Sequence, residues 1–374
     1  MKYYIIAGEA SGDLHASNLV AEIKKKDSKA QFRGCGGDLM KAEGVSLLKH
    51  YRLMAYMGFV EVAVNLRKVL GIISQCKKDI VDYQPDVLIL VDYPGFNLRM
   101  AKFAHEKGIK VLYYISPQVW AWKRRRVKKI KKTVDKMLVI LPFEEEFYKR
   151  YGVDVTYVGN PLLDELAKVD TSNRSIFLRQ NSLGEKREII ALLPGSRKQE
   201  VKRILPVMLK VVPRFPEYQF VIAGVSSLDK SLYKKIIGNA DVFLVENQTY
   251  DLLQNASAAL VTSGTATLET ALFSVPEVVC YSATGFSYRL AKAMIKVNYI
   301  SLVNLVMDKE VVKELIQGDL TEDNVVKELD LLLHSGKRQR QLLEDYEELR
   351  DRLGNAGASE KAADIVCEFA KPKK

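Results

Sequence analysis

The stretch "KYYIIAGEASGDLHA" (residues 2–16) runs from an apolar strand pattern through a loop into a helix pattern. This strand–loop–helix order is typical of α/β proteins, in which such loops often hold phosphate. Its glycines, Gly8 and Gly12, have the spacing Gly-x-x-x-Gly, and Glu9 places a carboxylate directly after the first of them. This differs from the Gly-x-Gly-x-x-Gly spacing of dinucleotide-binding loops. The stretch predicts an α/β fold and leaves the ligand of this loop open.

The same alternation repeats along the chain in two series, which a polar stretch at residues 160–188 separates. The predicted strands are residues 2–8, 85–92, 110–116, 136–141 and 155–159 in the first series, and 188–195, 218–224, 241–247, 258–264 and 277–282 in the second. Continuous apolar runs of this type are typical of parallel strands covered by helices on both faces. We therefore expect two Rossmann-like, doubly wound α/β domains, residues 1–170 and 171–374, facing each other across a cleft. The charged sequence after about residue 306 predicts a helical C-terminal region.

The composition narrows the class of partner. The 374 residues include 57 Lys and Arg against 46 Asp and Glu, which gives a net charge of +11. That excess favours an anionic partner: nucleic acid, a phosphorylated metabolite or an anionic membrane surface. Four scattered cysteines without a Cys-x-x-Cys pair predict neither a zinc site nor a disulfide framework. Because the sequence shows no signal-peptide pattern and no apolar run of membrane-spanning length, we expect a cytoplasmic protein.

Two loops in the second predicted domain have the composition of a phosphate site. The first follows the strand that begins at Glu188 and consists of Pro194, Gly195, Ser196 and Arg197. Small residues let the backbone approach a ligand, the start of the next helix offers free N–H groups, and arginine adds a positive charge. The alternative is an ordinary strand-to-helix turn with a surface arginine.

The second loop has the same character. It consists of Ser263, Gly264, Thr265 and Ala266. Glu269, one turn into the following helix, is placed to bind the hydroxyls of a ribose. Alternatively, Ser263 or Thr265 only caps the helix. Two such loops in one domain favour a nucleotide diphosphate as the ligand.

In the first domain, Asp92 stands at the end of a predicted buried strand, shortly before Pro94 and Gly95. A carboxylate at the edge of a central strand is a candidate general base, because it combines partial burial with access to a ligand. The alternative is an Asx turn at the start of a loop. The residues alone leave both interpretations open.

Both tryptophans of the chain, Trp120 and Trp122, lie beside its most basic run. Eight of the ten residues from 123 to 132 are Lys or Arg, and the run begins with Lys123, Arg124, Arg125 and Arg126. A charged run is most often a solvated face, and nucleic acid is a further alternative, although no nucleic-acid-binding motif accompanies it. Aromatic residues next to basic ones favour a membrane–water interface. We therefore predict contact with an anionic membrane surface and no nucleic-acid partner.

Residues 57–73, "MGFVEVAVNLRKVLGII", have apolar side chains around most of a helix surface. The polar positions Glu61, Asn65 and Lys68 form one narrow stripe. Such a helix is normally buried on all sides, and it would also suit an acyl-chain groove or a shallow membrane contact. The residues predicted to make an acyl or membrane contact are Phe59, Val60, Val64, Leu66, Leu70 and Ile73.

Taken together and in this order, these segments resemble the lipid-A-disaccharide synthases, inverting glycosyltransferases of the two-domain GT-B type. The matching segments span almost the whole chain and are "AGEASGD", "YMGFVEV", "DYPGFN", "YYISPQVWAWKRRRV", "LPFEEEFY", "YVGNP", "LLPGSRKQEV", "TSGTATLE" and "YISLVNL". The resemblance implies transfer of a sugar from UDP-2,3-diacylglucosamine to 2,3-diacylglucosamine 1-phosphate, which gives a β-1,6-linked disaccharide phosphate and UDP. It implies no cofactor and no metal, and the chain has no Asp-x-Asp pair of the kind that metal-dependent transferases use.

The resemblance also implies roles for individual residues. Asp92 matches the proposed general base of the family and Glu9 matches a second important carboxylate, and the sequence does not decide which of the two is the base. Gly8, Ser11 and Gly12 would form a loop on the acceptor side. The residues expected around UDP are Gly195, Ser196, Arg197, Ser263, Gly264, Thr265, Ala266, Glu269 and Asn304.

Acylated substrates imply a peripheral protein on the inner face of the inner membrane, and a homodimer is a further expectation. Two rival functions stay open. One is another UDP-GlcNAc-using GT-B enzyme, a MurG-like transferase or a UDP-GlcNAc 2-epimerase, which would have no use for both the apolar and the basic segment. The other is a basic adaptor without activity, against which Asp92, Glu9 and Arg197 argue together.

Overall fold

The computed structural model describes residues 1–54, 66–121, 125–283 and 297–372. The chain forms two compact units, Met1–Ala167 together with Leu353–Lys374, and Lys168–Arg352. Each unit contains one parallel β-sheet with helices packed on it. The predicted fold class, two α/β domains with a helical C-terminal region, is confirmed.

In the described residues, the sheet of the first unit has seven parallel strands in the order β3-β2-β1-β4-β5-β6-β7. They are β1 Lys2–Ala7, β2 Gln31–Gly36, β3 Ser46–His50, β4 Val87–Val91, β5 Lys110–Tyr114, β6 Lys136–Val139 and β7 Thr156–Tyr157. The strand order reverses between β1 and β4, which pair directly. The loops after these two strands therefore lie at a topological switch point, where α/β proteins bind ligands.

Both faces of this sheet are covered. The described helices before Lys168 are α1 Ala10–Lys26, α2 Asp38–Ala42, α3 Leu66–Tyr83, α4 Pro94–Glu106, α5 Arg126–Thr133, α6 Phe143–Lys149 and α7 Pro161–Leu166, with a 3₁₀ turn at Tyr51–Leu53. Alternate side chains of β1 enter two separate hydrophobic clusters, Tyr4 and Ile6 on one face and Tyr3 and Ile5 on the other. Because successive strand residues point to opposite faces, a strand buried on both faces is apolar throughout.

As far as the structure describes the second unit, its sheet has six parallel strands in the order β10-β9-β8-β11-β12-β13. They are β8 Glu188–Leu193, β9 Tyr218–Gly224, β10 Val242–Glu246, β11 Ala256–Thr262, β12 Glu277–Tyr281 and β13 Lys313–Ile316. The described helices are α8 Arg174–Gln180, α9 Lys198–Val211, α10 Lys230–Ile237, α11 Thr249–Gln254, α12 Thr265–Leu272, α13 Leu302–Met307, α14 Glu322–His334 and α15 Gly336–Leu353, with 3₁₀ turns at Val212–Arg214 and Gln317–Asp319. The order reverses between β8 and β11, so the loops after these strands form the second switch point.

The last helix, α16 Ala358–Ala370, belongs to the first unit, whereas the sequence analysis placed residues 171–374 in one domain. Its buried residues Ala362 and Val366 lie in the same hydrophobic cluster as Leu19 of α1. The Asp164 carboxylate accepts hydrogen bonds from the N–H groups at the start of this helix, including a 2.8 Å bond from Ser359. The first segment of this unit ends at Ala167, and the chain returns to the unit after Arg352.

Within the described residues, no helix is both long enough and apolar enough to cross a bilayer.

Candidate active site

In the first unit, Glu9 and Asp92 follow two neighbouring strands. Ala7, the last residue of β1, is the register partner of Val91, the last residue of β4. Asp92 comes directly after Val91, and Glu9 comes two residues after Ala7 at the start of α1. Both carboxylates are half-buried. The structure therefore brings the two predicted catalytic carboxylates to the same switch point.

The loop between β1 and α1 is shaped by Tyr93. A Cβ atom placed on Gly8 would lie 2.2 Å from the Tyr93 ring, so this position has room for glycine alone. The Tyr93 hydroxyl donates a 2.7 Å hydrogen bond to the Met54 carbonyl. Burial and the negative charge of Glu9 raise the pKa of Tyr93 to about 12. The close approach that requires Gly8 is thus an internal contact, while Ser11, in the first turn of α1, is exposed.

Asp92 is held through its backbone in an uncommon conformation. Its φ of 41° lies in the left-handed region, which costs a non-glycine residue about 1–3 kcal/mol. The Asp92 carbonyl accepts hydrogen bonds from the Tyr113 hydroxyl at 2.5 Å and from Asn97 Nδ2 at 2.7 Å. The Asp92 N–H donates to the Tyr114 carbonyl at 3.2 Å. These three bonds fix the direction in which the carboxylate leaves the strand.

In the second unit, the two predicted phosphate loops emerge side by side. Leu193 of β8 and Val261 of β11 are register partners in the centre of the sheet. The loop of Pro194–Arg197 leads into α9, and the loop of Ser263 and Gly264 leads into α12. Two helix N-termini therefore lie next to each other, and each offers backbone N–H groups and a positive dipole end.

In the first of these loops, Gly195 and Arg197 lie against the side chain of Glu200. Gly195 has a φ of 105°, and a Cβ atom there would meet Glu200 Oε2 at 2.5 Å. Arg197 caps α9: its N–H donates to Glu200 Oε2 and its Nη1 donates to Glu200 Oε1, both at 3.2 Å. The side chain of Arg197 is 58% exposed. The loop thus presents a guanidinium at a helix start, with Ser196 also exposed.

The second loop is anchored by Ser263, whose hydroxyl donates to the Ile300 carbonyl at 2.9 Å. Gly264 and Thr265 are exposed and Ala266 is half-buried. One turn further on, burial raises the pKa of Glu269, and the Tyr250 hydroxyl donates to Glu269 Oε1 at 3.3 Å.

A cavity of about 450 Å³ opens beside Glu269. It is lined by Val169, Asp170, Asn247, Gln248, Thr249, Tyr250, Asp251 and Glu269. The loop after β10 was not among the predicted sites, although "LVENQTY" (residues 244–250) has the same strand-to-helix character as the two predicted loops. Volumes of this size are typical of small-molecule sites.

Asn304 does not line this site. It is fully buried in α13, and its Nδ2 donates to the Val312 carbonyl and to Glu314 Oε1 at 2.8 and 2.9 Å. Its Oδ1 accepts from the N–H groups of Val311 and Val312. The amide is therefore fully used in holding the segment before β13, and the predicted contact of Asn304 with UDP stays a prediction.

Some residues predicted to contact a membrane lie outside the described residues, and the others differ in exposure. Phe59, Val60, Val64, Trp122, Lys123 and Arg124 lie outside the described residues, and Leu66 is described only as the first residue of α3. Leu70 is 50% exposed, Arg125 is exposed, and Arg126 is half-buried.

The structure contradicts the predicted membrane contact of Ile73 and Trp120, because these residues are only 7% and 4% exposed. Ile73 packs into the hydrophobic cluster on one face of the first sheet. The Trp120 indole N–H donates to Glu144 at 3.2 Å, and its ring meets Phe143 edge-on. Both side chains are buried in the hydrophobic core, so neither can contact a membrane in this structure.

Among the residues described, no group of three or more His, Cys, Asp or Glu side chains is arranged to hold a metal ion.

Comparison with known proteins identifies the family. The family model described as lipid-A-disaccharide synthetase matches residues 3–369. The lipid-A-disaccharide synthase of Syntrophus aciditrophicus is 45% identical over 374 residues, which cover 98% of this chain and 97% of that protein. Seven further relatives with the same name are 33–39% identical over nearly the whole chain.

The chain belongs to the lipid-A-disaccharide synthase family.

As a lipid-A-disaccharide synthase family member, the chain is a glycosyltransferase of lipid A biosynthesis, as predicted. Solved structures share its fold at low identity. The UDP-GlcNAc 2-epimerase of Neisseria meningitidis, crystallised with UDP-GlcNAc, has a TM-score of 0.70 at 14% identity and covers 98% of this chain and 100% of its own. The glycosyltransferase of kitacinnamycin has a TM-score of 0.64 at 14% identity, with 98% of both chains covered. These neighbours show the fold alone, whereas the family rests on the sequence relatives.

Proposed function

We propose that the protein transfers a diacylated glucosamine from UDP-2,3-diacylglucosamine to 2,3-diacylglucosamine 1-phosphate. The acceptor 6-hydroxyl oxygen forms a bond to C1 of the donor sugar, the bond from C1 to the UDP oxygen breaks, and the hydroxyl proton passes to a base. The products are the β-1,6-linked disaccharide 1-phosphate and UDP. The observation that carries this proposal is the family match over residues 3–369.

The diphosphate of UDP is assigned to the paired helix starts of the second unit. The N–H groups at the beginning of α9 and α12 suit an anion, and Arg197 adds a full positive charge beside the first of them. In the transition state, negative charge grows on the departing diphosphate. Preorganised donors and a guanidinium in this position stabilise that charge. The proposed reaction uses no metal, in keeping with the lack of an Asp-x-Asp pair in the sequence.

The nucleoside is assigned to the cavity beside Glu269. Its volume of about 450 Å³ is large enough for a base and a ribose, and its lining carries carboxylate, amide and hydroxyl groups. Glu269 would accept hydrogen bonds from the ribose hydroxyls, as the sequence analysis expected. The Tyr250 hydroxyl, 3.3 Å from Glu269 Oε1, would orient the carboxylate for that task.

The acceptor is assigned to the switch point of the first unit. An inverting displacement needs a base on the face of the sugar opposite the leaving group, and a carboxylate is a suitable base for a hydroxyl. Asp92 is our candidate, because three backbone hydrogen bonds hold its main chain and thereby aim its side chain. Glu9, at the neighbouring strand end, would bind or orient the acceptor sugar.

The membrane contact is proposed for the surface formed by α4 and α5. Arg99 and Lys102 on α4 face Arg126 and Lys129 on α5, and burial together with these positive charges lowers the pKa of Lys129. Like charges held this close repel one another, and an anionic surface relieves that repulsion. The exposed Leu70 of α3 supplies an apolar contact in the same unit.

The proposed reaction is tested by mass spectrometry of the products. The purified protein is incubated with the diacylated donor and acceptor, and in parallel with UDP-GlcNAc alone. We expect a disaccharide phosphate and UDP in the first incubation, and unchanged UDP-GlcNAc in the second. Epimerisation or transfer of UDP-GlcNAc without turnover of the diacylated pair would contradict the proposal and favour the rival enzyme.

A further inference from the structure

Glu144 is a buried carboxylate that the proposed reaction does not use. It lies in the first turn of α6 and is 2% exposed. Its Oε2 accepts hydrogen bonds from the N–H groups of Ile140 and Leu141 at 3.2 and 3.0 Å. Its Oε1 accepts from the Ser116 hydroxyl and from the Trp120 indole N–H. Glu144 therefore joins the turn after β6 to the segment after β5.

The segment that Glu144 holds has little regular structure of its own. Residues 115–121 contain no described helix or strand, and Ile115 has a φ of 62°. Trp120 is packed edge-on against Phe143, with ring centroids 5.0 Å apart. A loop without internal backbone ladders takes its shape from contacts to other elements. For this loop, the Ser116 hydroxyl and the Trp120 indole N–H both donate hydrogen bonds to the same carboxylate oxygen, Glu144 Oε1.

This segment begins beside the candidate base. Strands β4 and β5 are paired, with Val91 opposite Tyr114, and Asp92 donates its N–H to the Tyr114 carbonyl. Arg126, the first residue of α5, follows the segment along the chain; its positive charge acts on Tyr113, whose hydroxyl donates to the Asp92 carbonyl. The residues that flank the loop on both sides therefore reach the surroundings of Asp92.

We propose that Glu144 is a positioning residue for the acceptor: it fixes the loop of Ser116–Trp120 and so sets the wall of the acceptor site next to Asp92. This inference rests on the proposed function, which assigns the acceptor to this switch point. Donor binding is assigned to the second unit and should not depend on Glu144.

The protonation state of Glu144 controls how many of these bonds form. Burial raises the pKa of Glu144 to about 7. Deprotonated, both oxygens accept hydrogen bonds, whereas a proton turns one oxygen into a donor that opposes the N–H groups around it. Among the described residues, the titratable groups whose pKa responds to Glu144 are Tyr148 on α6 and Tyr157 on β7, and burial raises the pKa of both, so they stay neutral. The loop should therefore be held more firmly above neutral pH than below it.

The test compares Glu144→Gln with Glu146→Gln. Glu146 lies on the same helix, is exposed, and forms a surface ion pair with Arg150, so it is a matched control. We expect Glu144→Gln to raise the KM for the acceptor by about 10- to 100-fold, because small misplacements of a binding wall have effects of this size. The KM for the UDP-sugar should be unchanged, and the limb of the pH profile near pH 7 should disappear.

A second experiment, a fluorescence titration, tests the contact between Glu144 and the loop without any turnover of substrate. With Trp122→Phe, Trp120 is the single tryptophan of the chain, and its fluorescence reports on the contact with Glu144. The emission should titrate with a midpoint near the Glu144 pKa, about 7, and Glu144→Gln should abolish that transition. If Glu144→Gln does not fold, Ser116→Ala and Trp120→Phe each remove one donor and leave the other bonds in place.

The inference is overturned if Glu144→Gln shows the acceptor KM, pH profile and fluorescence of Glu146→Gln. A wild-type protein that does not turn over the diacylated substrates would instead overturn the proposed function, and the fluorescence titration then decides whether Glu144 holds the loop.

Discussion

The Tyr113 hydroxyl donates a 2.5 Å hydrogen bond to the carbonyl oxygen of Asp92. The two residues lie on neighbouring strand ends, and Asp92 has a left-handed backbone conformation. The bond therefore supports a main chain that would otherwise relax to a more common conformation, and with it the direction of the carboxylate.

Removing this bond should disturb the first unit locally. We expect Tyr113→Phe to lower the free energy of unfolding by about 1 kcal/mol, the usual net contribution of one hydrogen bond. Turnover should fall while UDP binding stays unchanged, since Asn97 alone would hold the Asp92 carbonyl. Urea unfolding and steady-state kinetics measure both effects. Wild-type turnover in a variant that has lost the expected stability would show that the bond does not position Asp92 for catalysis.

Asp92→Asn keeps the shape of the side chain and removes its basicity. We expect kcat to fall by about 10²–10⁴-fold, the range of general base catalysis, with an unchanged Kd for UDP. Glu9→Gln made in parallel distinguishes the two carboxylates, because only the loss of the base should remove the acid limb that the base contributes to the pH profile. A normal rate in Asp92→Asn would exclude Asp92 as the base.

Arg197→Ala should weaken UDP binding by about 10- to 100-fold, because a charge-assisted hydrogen bond contributes about 1.5–3 kcal/mol. Lys202→Ala is the control, since Lys202 is exposed one turn further along α9 and its loss changes the net charge by the same amount. Isothermal titration calorimetry measures both affinities. Equal affinities in the two variants would contradict the diphosphate assignment.

Leu70 and Ile73 lie three residues apart on α3 and differ in exposure, 50% against 7%. We expect Leu70→Ser to reduce binding to vesicles of anionic phospholipid about five- to tenfold, because about 1 kcal/mol of apolar burial is lost. Its melting temperature should stay near that of the wild type. Ile73→Ser should instead destabilise the fold by about 2–4 kcal/mol. Vesicle flotation and thermal melts test the pair, and unchanged flotation of Leu70→Ser would argue against a contact through α3.

Glu277 supplies a prediction about pH. It is 1% exposed, neither carboxyl oxygen has a hydrogen-bond partner among the described residues, and burial raises its pKa well above the ordinary value. A carboxyl group whose pKa is higher in the folded protein than in the unfolded chain contributes stability that is fully present below its unfolded pKa. That stability is lost as the pH rises toward its folded pKa. Between about pH 5 and pH 8, the wild type should therefore lose more free energy of unfolding than Glu277→Gln.

The control for Glu277 is Glu188→Gln, since Glu188 also begins a strand of this sheet but is exposed. Urea unfolding at the two pH values gives the comparison. If Glu277→Gln and Glu188→Gln showed the same pH dependence as the wild type, Glu277 would not be a buried titrating group.

The central strands were predictable because they are apolar along their whole length. The runs that end at Val91, Leu193 and Thr262 are buried on both faces of a sheet, and such a strand has no polar face to interrupt the pattern. The prediction missed β2, β3 and β13. In β2, "QFRGCG" mixes charge and glycine with apolar residues, and its Arg33 pairs with Asp79 of α3 at 2.7 Å, a contact that no local pattern reveals.

The candidate site shows the same division. The loops that carry Asp92, Arg197 and Glu269 follow recognisable strands, so their common location at two switch points could be inferred from the sequence. The inward position of Trp120 could not, because its indole is held by Glu144, 24 residues away. Aromatic residues beside a basic run suit a membrane surface in general, but here one buried acceptor decides the orientation of the ring.

The two α/β domains, the family and the candidate ligand loops could all be predicted from the sequence alone, because strand and helix periods and loop composition are local properties of the chain. The tertiary structure decided which side chains are internal. Asn304 and Trp120 are buried, and the Tyr93 ring lies against Gly8. The last helix packs in the first unit, where the Asp164 carboxylate accepts a hydrogen bond from the N–H group of Ser359, 195 residues away. Burial and hydrogen-bond partners depend on residues that are distant along the chain and meet only after folding.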